Sequence, residues 1–305
     1  MVMNFYLTAE SLAKSGNQLD RLYACLAQLL ADIGCSKPYK DENIFYITNK
    51  ALEYPIKGIP FVQLLYKSDY DGEQKAILNT LFSLYVKGDL LKGTSKNIEE
   101  IKHEIKNNNE DISTGIISLE AIEGIAESNQ IVYDQKTWID FRREHICTYI
   151  QNSDHYLLQC QKYYDRLFFH EHNYCSIKPI FSDYKISITN ALNQLNDVFY
   201  PLHIENKGME RVALLKMFNA NTHLETVVQG KKKKKLDAEF DFIDANGNRV
   251  PLFCELHIKL TQSDKKGDDK YEYNRIYFHE PHSSISEGEK ILIAHIGKHL
   301  HVKGQ

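Results

Sequence analysis

The stretch VPLFCELHIKL, Val250 to Leu260, decides how the C-terminal half of this chain is read. Side chains of a strand alternate between its two faces. With that period, Cys254, Leu256, Ile258 and Leu260 share one face, and Glu255, His257 and Lys259 share the other. An acid, an imidazole and an ammonium backed by an unbroken apolar row fit either a solvated face or a site that handles phosphate.

Three neighbouring segments repeat the period: LDAEFDFID (Leu236–Asp244), YNRIYFHE (Tyr273–Glu280) and KILIAHIGKHL (Lys290–Leu300). Short polar connections separate them, so the four read as an antiparallel meander. Two helices precede it. One is capped by Ser182 and Asp183, carries Ile188, Leu192, Leu195 and Phe199, and closes at Pro201; the other follows Gly208 with Val212, Leu215 and Phe218. Helices covering one face of such a sheet make an α+β fold.

Aligning the strands gathers a polar face. Arg275, Tyr277 and His279 share one side of the third strand; His295 and His299 share one side of the last. A slip of one residue would turn every side chain over, so the agreement of three strands is the informative feature. Taken singly, each histidine is ordinary. Two details resist. Ile291 and Ile293 have the parity of His295, so that end of the face must be covered. The first strand depends on its turn: a three-residue loop, Ala245-Asn246-Gly247 with Gly247 left-handed, is preferred to a tight Asn-Gly turn. It sends Phe240 and Phe242 to the core and Asp237, Glu239 and Asp241 to the polar face.

These residue types suit metal-free cleavage of RNA. Histidine exchanges protons near neutral pH. Arginine and lysine hold phosphate and steady the charge of a phosphorane. The candidate catalytic residues are Glu255, His257, Lys259, Arg275, Tyr277, His279 and His295. A run of five lysines, Lys231, Lys232, Lys233, Lys234 and Lys235, together with His299, is the candidate nucleic-acid contact, since phosphate contacts add affinity without chemistry.

Two helices followed by a four-stranded antiparallel meander bearing His, Lys, Arg and Tyr resembles the small ribonuclease fold of barnase, EndoU-type enzymes, colicin-type toxins and RelE-type toxins. The resemblance covers residues 182–300 and lies in residue type and placement. It implies a ribonuclease without cofactor, of toxin or phage-defence type, acting on RNA and restrained by a neutralising or sensor protein. The strings ELHIK, RIYFH and HIGKHL also resemble those of uncharacterised bacterial defence-associated proteins.

Other chemistries stay open. A metal-dependent nuclease of the PD-(D/E)xK type would use Mg or Mn held by Asp237, Asp241 and Glu255, but His257 occupies the position where that family places lysine. A zinc site could use His257, His279 and His295. A non-catalytic RNA- or protein-binding module is the remaining reading. HEHNYC (His170–Cys175) crowds its side chains too closely for the usual zinc spacing.

The rest of the chain sets bounds. Its 305 residues allow one large domain or two ordinary ones, read as residues 1–148, mostly helical with one or two strands, and 149–305, the α+β module. Helices are predicted over Asn17–Ile33, Glu73–Val86, the segment after Ser118 with Leu119, Ile122 and Ala126, and from TWIDFRREHI; QIVYD reads as β-prone. The first domain shows no chemistry and is read as a sensor or partner domain. A net charge of −4 excludes a global basic field, leaving nucleic-acid contacts to local patches. Six scattered cysteines, no C-x-x-C pair, no secretory pattern at the start and no long apolar run point to a cytoplasmic protein without a membrane span.

Overall fold

In the computed structural model, which describes residues 2–13, 19–35, 42–66, 72–87, 91–228, 238–260 and 274–300, the chain divides into two units, Met1–His145 and Ile146–Gln305. Both mix helices with sheets.

The first unit is rich in helix, but it holds more strand than the one or two expected. It contains a sheet of five parallel strands: β1 (Val2–Leu7), β2 (Glu42–Thr48), β5 (Leu91–Thr94), β6 (Ile112–Ile117) and β7 (Ile131–Val132), ordered β5-β2-β1-β6-β7. A small hairpin, β3 (Pro55–Ile56) with β4 (Ile59–Pro60), stands apart. The helices are α1 (Ala9–Ala13), α2 (Leu19–Cys35), α3 (Asn49–Glu53), α4 (Phe61–Tyr66), α5 (Gly72–Lys87), α6 (Ile98–Lys106) and α7 (Gln135–Thr148), which carries the chain into the second unit. The strands escape an alternation search for a physical reason. Parallel strands are covered on both faces and show no polar–apolar rhythm; ISTGII is buried at every position after the first. The helix expected after Ser118 does not form. Gly124, at φ +77°, breaks the spacing of Leu119, Ile122 and Ala126.

Each face of this sheet has its own packing. Phe5 and Phe45 pack against Trp138 of α7, with ring centroids 4.7 and 6.2 Å away. On the α6 side, Tyr6 and Ile116 pack with Ile101 and Ile105, and the Tyr6 hydroxyl donates to Glu104 at 2.8 Å. Gly115 in β6 makes room for α7: a Cβ there would stand 2.6 Å from the Phe141 ring and 3.1 Å from the Gln130 carbonyl. Phe141 is buried and cannot swing aside. Gly115→Val is therefore expected to destabilise the chain by about 1–3 kcal/mol through overpacking. A urea titration checks this; an unchanged midpoint would refute the tight approach of α7.

The second unit contains α8 (Ser153–Tyr163), β8 (Leu167–Phe169), α9 (Asn173–Ser176), α10 (Phe181–Gln194), α11 (Tyr200–Glu205) and α12 (Arg211–Thr222). Its remaining strands are β9 (Thr226–Val228), β10 (Glu239–Ile243), β11 (Arg249–Phe253), β12 (Leu256–Lys259), β13 (Arg275–His279) and β14 (Ile291–Gly297). Pro201 does not close α10. A π-turn over 195–199 joins α10 to α11, and Pro201, which has no N–H to donate, follows directly after it in α11.

The expected four-stranded meander is replaced by two sheets. VPLFCELHIKL is not one strand: it breaks at Cys254–Glu255, where Cys254 N–H donates to Ala238 and Glu255 N–H to Phe253. β10 and β11 form a separate hairpin. The main sheet runs β8-β14-β13-β12-β9, antiparallel except for the parallel edge pair of β14 with β8. The hairpin loop is the three-residue one: Asp244 N–H donates to Asn248 O at 2.9 Å, and Gly247 has φ +83°.

The parity conflict of Ile291 and Ile293 is resolved by a bulge. Tyr277 pairs with His295, but Phe278 pairs with Ile293, leaving Ala294 as the extra residue. Beyond it, Ile293 joins the side of Phe278, whose ring lies 5.3 Å from Phe199 in the π-turn. Leu292 and Ala294 turn to the other side, where Phe240, Phe242 and Leu252 of the hairpin cover them.

Candidate functional site

Register brings much of the predicted set together. Across three strands, His257 pairs with Tyr277 and Tyr277 with His295. The next rung is Lys259, Arg275 and Gly297. Antiparallel partners point to the same side, so one face carries two imidazoles, a phenol, a guanidinium and an ammonium. Gly297 leaves the second rung without a side chain at β14; a Cβ there would lie 2.7 Å from the Ser176 carbonyl and 2.8 Å from His295 Nε2.

This face is not the solvated one that alternation suggests. Tyr277 is fully buried, and His257, Arg275 and His295 are 2%, 6% and 6% exposed. Arg275 donates to His257 Nε2 at 3.2 Å and reaches the Tyr277 hydroxyl at 3.5 Å. With Nε2 accepting, His257 carries its proton on Nδ1 and donates it to Glu255 O at 3.3 Å. Burial, reinforced by the Arg275 charge, pushes the His257 imidazole down to about 3. Burial also raises the Tyr277 phenol. Lys259 pairs with Glu225.

His295 extends the row toward the surface. Its Nε2–H donates to Lys298 O at 2.9 Å, so its Nδ1 accepts from His172 Nε2 at 3.1 Å. The two rings stack 5.2 Å apart. Burial pushes His295 down to about 4 and, with the neighbouring His170, lowers His172. His172 itself is exposed. It therefore forms the outer end of a row running inward through His295, Tyr277 and His257. His170 braces it, accepting from the His172 backbone N–H at 3.1 Å, with its own Nε2 3.0 Å from Asp241 O. His299 adds to the charge felt by both His257 and His295.

Two predicted residues go elsewhere. Glu255 accepts from Arg211 NH1 at 2.9 Å, and the same guanidinium donates to Glu280 at 2.7 Å. His279 joins this second group: its Nδ1 lies 2.6 Å from Glu280 O, its ring is 6.1 Å from that of His282, and burial lowers its pKa. The break at Cys254–Glu255 is what removes Glu255 from the histidine row. Cys254 stays in the core as a thiol, pushed up to about 12 by burial.

The carboxylate metal site does not assemble among the described residues. Asp241 is exposed on the outer side of the hairpin, 3.8 Å from Arg249, while Glu255 is engaged by Arg211. Nor do His257, His279 and His295 make a zinc site. His257 and His295 flank Tyr277, about 9.6 Å apart by strand spacing, and no group of three His, Cys, Asp or Glu among the described residues is placed to hold a metal ion. Lys231–Lys235 and Asp237 lie outside the described residues.

Sequence reasoning missed His172, Arg211 and Glu280. The signal for His172 was present: LFFHEH is a short β-prone run followed by His-x-His, which fits a strand delivering imidazoles to a sheet edge. No helix of the described residues is long and apolar enough to cross a membrane. Comparison with protein-family models, with curated proteins and with solved structures found no match.

Proposed function

We propose that the second unit cleaves RNA without a metal ion, using the face of β12, β13 and β14. The observation that carries this reading is the imidazole pair His172–His295, one exposed and one buried, on the same row as Tyr277 and beside Arg275. RNA cleavage needs a base to take the 2′-hydroxyl proton, an acid to protonate the leaving 5′-oxygen, and fixed positive charge for the phosphorane. His172, the exposed imidazole, takes the 2′-hydroxyl proton as the base and, as the imidazolium so formed, gives it to the leaving 5′-oxygen; His295 accepts the proton of its other ring nitrogen and orients it. Arg275 and Lys259 supply the positive charge, and Tyr277 holds Arg275.

Both imidazoles are neutral at pH 7, because each is lowered from its ordinary value. An incoming phosphate is an opposite charge that favours the imidazolium. Substrate thus raises the proton affinity of the base at the moment the base is needed. Glu255 and His279, with Arg211 and Glu280, brace the far end of β12 and β13. Lys231–Lys235 and His299 are proposed as phosphate contacts, and a sensor or neutralising partner through the first unit as the restraint.

The test uses the full chain with end-labelled tRNA, ribosomal RNA and single- and double-stranded DNA, each in EDTA or with Mg or Mn. RNA cut equally in EDTA and with metal, with DNA untouched, is expected. DNA cut only with metal would overturn the proposal and return attention to Asp241 and Glu255. RNA bound but uncut would leave a recognition surface.

A further inference from the structure

The first unit holds a cavity that the reading of the second unit does not use. Its volume is about 450 Å³, within the range of small-molecule sites. One wall is α6. The opposite wall is the irregular segment after β6, where Gly124 at φ +77° turns the chain over open space. Ile105, Ile125 and Ala126 form an apolar floor.

The charged groups on the rim are asymmetric. Lys102 and Lys106 stand one turn apart on the same wall, and Glu127 and Gln130 stand across from them. Lys102 is held by Glu99 at 3.1 Å. Among the described residues no carboxylate pairs with Lys106. The other acids of α6 are already engaged: Glu100 closes the capping box on Asn97, and Glu104 binds Tyr6 and Lys96. The Gln130 side-chain oxygen accepts from Glu127 N–H at 3.2 Å, which leaves its amide N–H₂ for a ligand.

We propose that this cavity binds a mononucleotide. Two lysines one turn apart present point charges to a phosphate. The apolar floor takes the face of a base. A carboxylate across the cavity suits ribose hydroxyls, which donate to it. The Gln130 amide reads the base edge. The unit is thereby a nucleotide sensor, whatever the second unit does.

The test is calorimetric titration of the full chain with AMP, GMP, CMP and UMP, and with inorganic phosphate alone. At least one nucleotide is expected to bind one-to-one with a dissociation constant of about 10–100 µM. The double variant Lys102→Glu/Lys106→Glu is expected to weaken it by about tenfold or more, Ala126→Trp to abolish it by filling the floor, and Lys50→Glu, at an exposed position away from the cavity, to change nothing. Circular dichroism of each variant separates loss of binding from loss of folding; Lys106→Glu alone, at an exposed position, serves if another variant misfolds. No nucleotide bound at millimolar concentration would overturn the proposal. So would binding that survives both cavity variants, or inorganic phosphate binding as tightly as the nucleotide.

Discussion

His172→Gln and His295→Gln are each expected to lower the rate of RNA cleavage by about 10²- to 10⁴-fold, the usual contribution of a positioned acid or base. Glutamine keeps a hydrogen-bonding amide near the place of the lost ring nitrogen but cannot exchange a proton. The loss should therefore fall on the chemical step and leave RNA binding within a few-fold. His172 is at the surface and carries little packing, so its variant tests chemistry with the fold intact. The pH profile adds an independent sign. The base must be neutral to accept a proton, and burial together with the neighbouring His170 lowers the His172 imidazole, so it stays neutral into more acid solution than an ordinary histidine. The acid limb of the rate should then lie below the ordinary histidine value of about 6.5. An acid limb at or above that value, or full activity in both variants, would remove the imidazole pair from the mechanism.

Acidification is expected to unfold the second unit. His257 and His295 are held at about 3 and about 4 in the folded chain, against about 6.5 when unfolded. Below that unfolded value the unfolded chain binds more protons than the folded one. Stability is then complete above about pH 6.5 and falls as pH drops toward the folded values. Each histidine contributes a slope of about 1.4 kcal/mol per pH unit, so the two together contribute about 2.7. Over the whole window that rivals the total stability of an ordinary domain. Urea titrations followed by circular dichroism at pH 7, 6 and 5 measure it. His257→Gln should remove about half the slope. Stability independent of pH would mean that the row is open to water.

How much of this was legible in the sequence depends on the element. The pairing of His257, Tyr277 and His295 was readable, because β12, β13 and β14 each alternate and their parities agree. The bulge at Ala294 announced itself as a conflict, since Ile291 and Ile293 stood on the wrong face. The break at Cys254–Glu255 left no mark: apolar side chains continue at every second position through it, although they serve two sheets. Burial was equally hidden, because the hairpin and His172 arrive from segments whose pairing no local period reveals. In the first unit the parallel strands were lost for a related reason. Covered on both sides, they carry no alternation, and Ser113, Thr114 and Gly115 make β6 read as a loop. The helices α2, α5 and α12 were legible from their apolar spacing.

The most direct measurement offers the full chain one RNA oligonucleotide and its 2′-O-methyl copy, in EDTA, beside the His172→Gln variant. Cleavage of the RNA by wild type alone, with the methylated copy intact and a 2′,3′-cyclic phosphate on the product, is the predicted result. Cleavage of the methylated copy, or equal cleavage by the variant, would contradict 2′-hydroxyl chemistry at the His172–His295 pair.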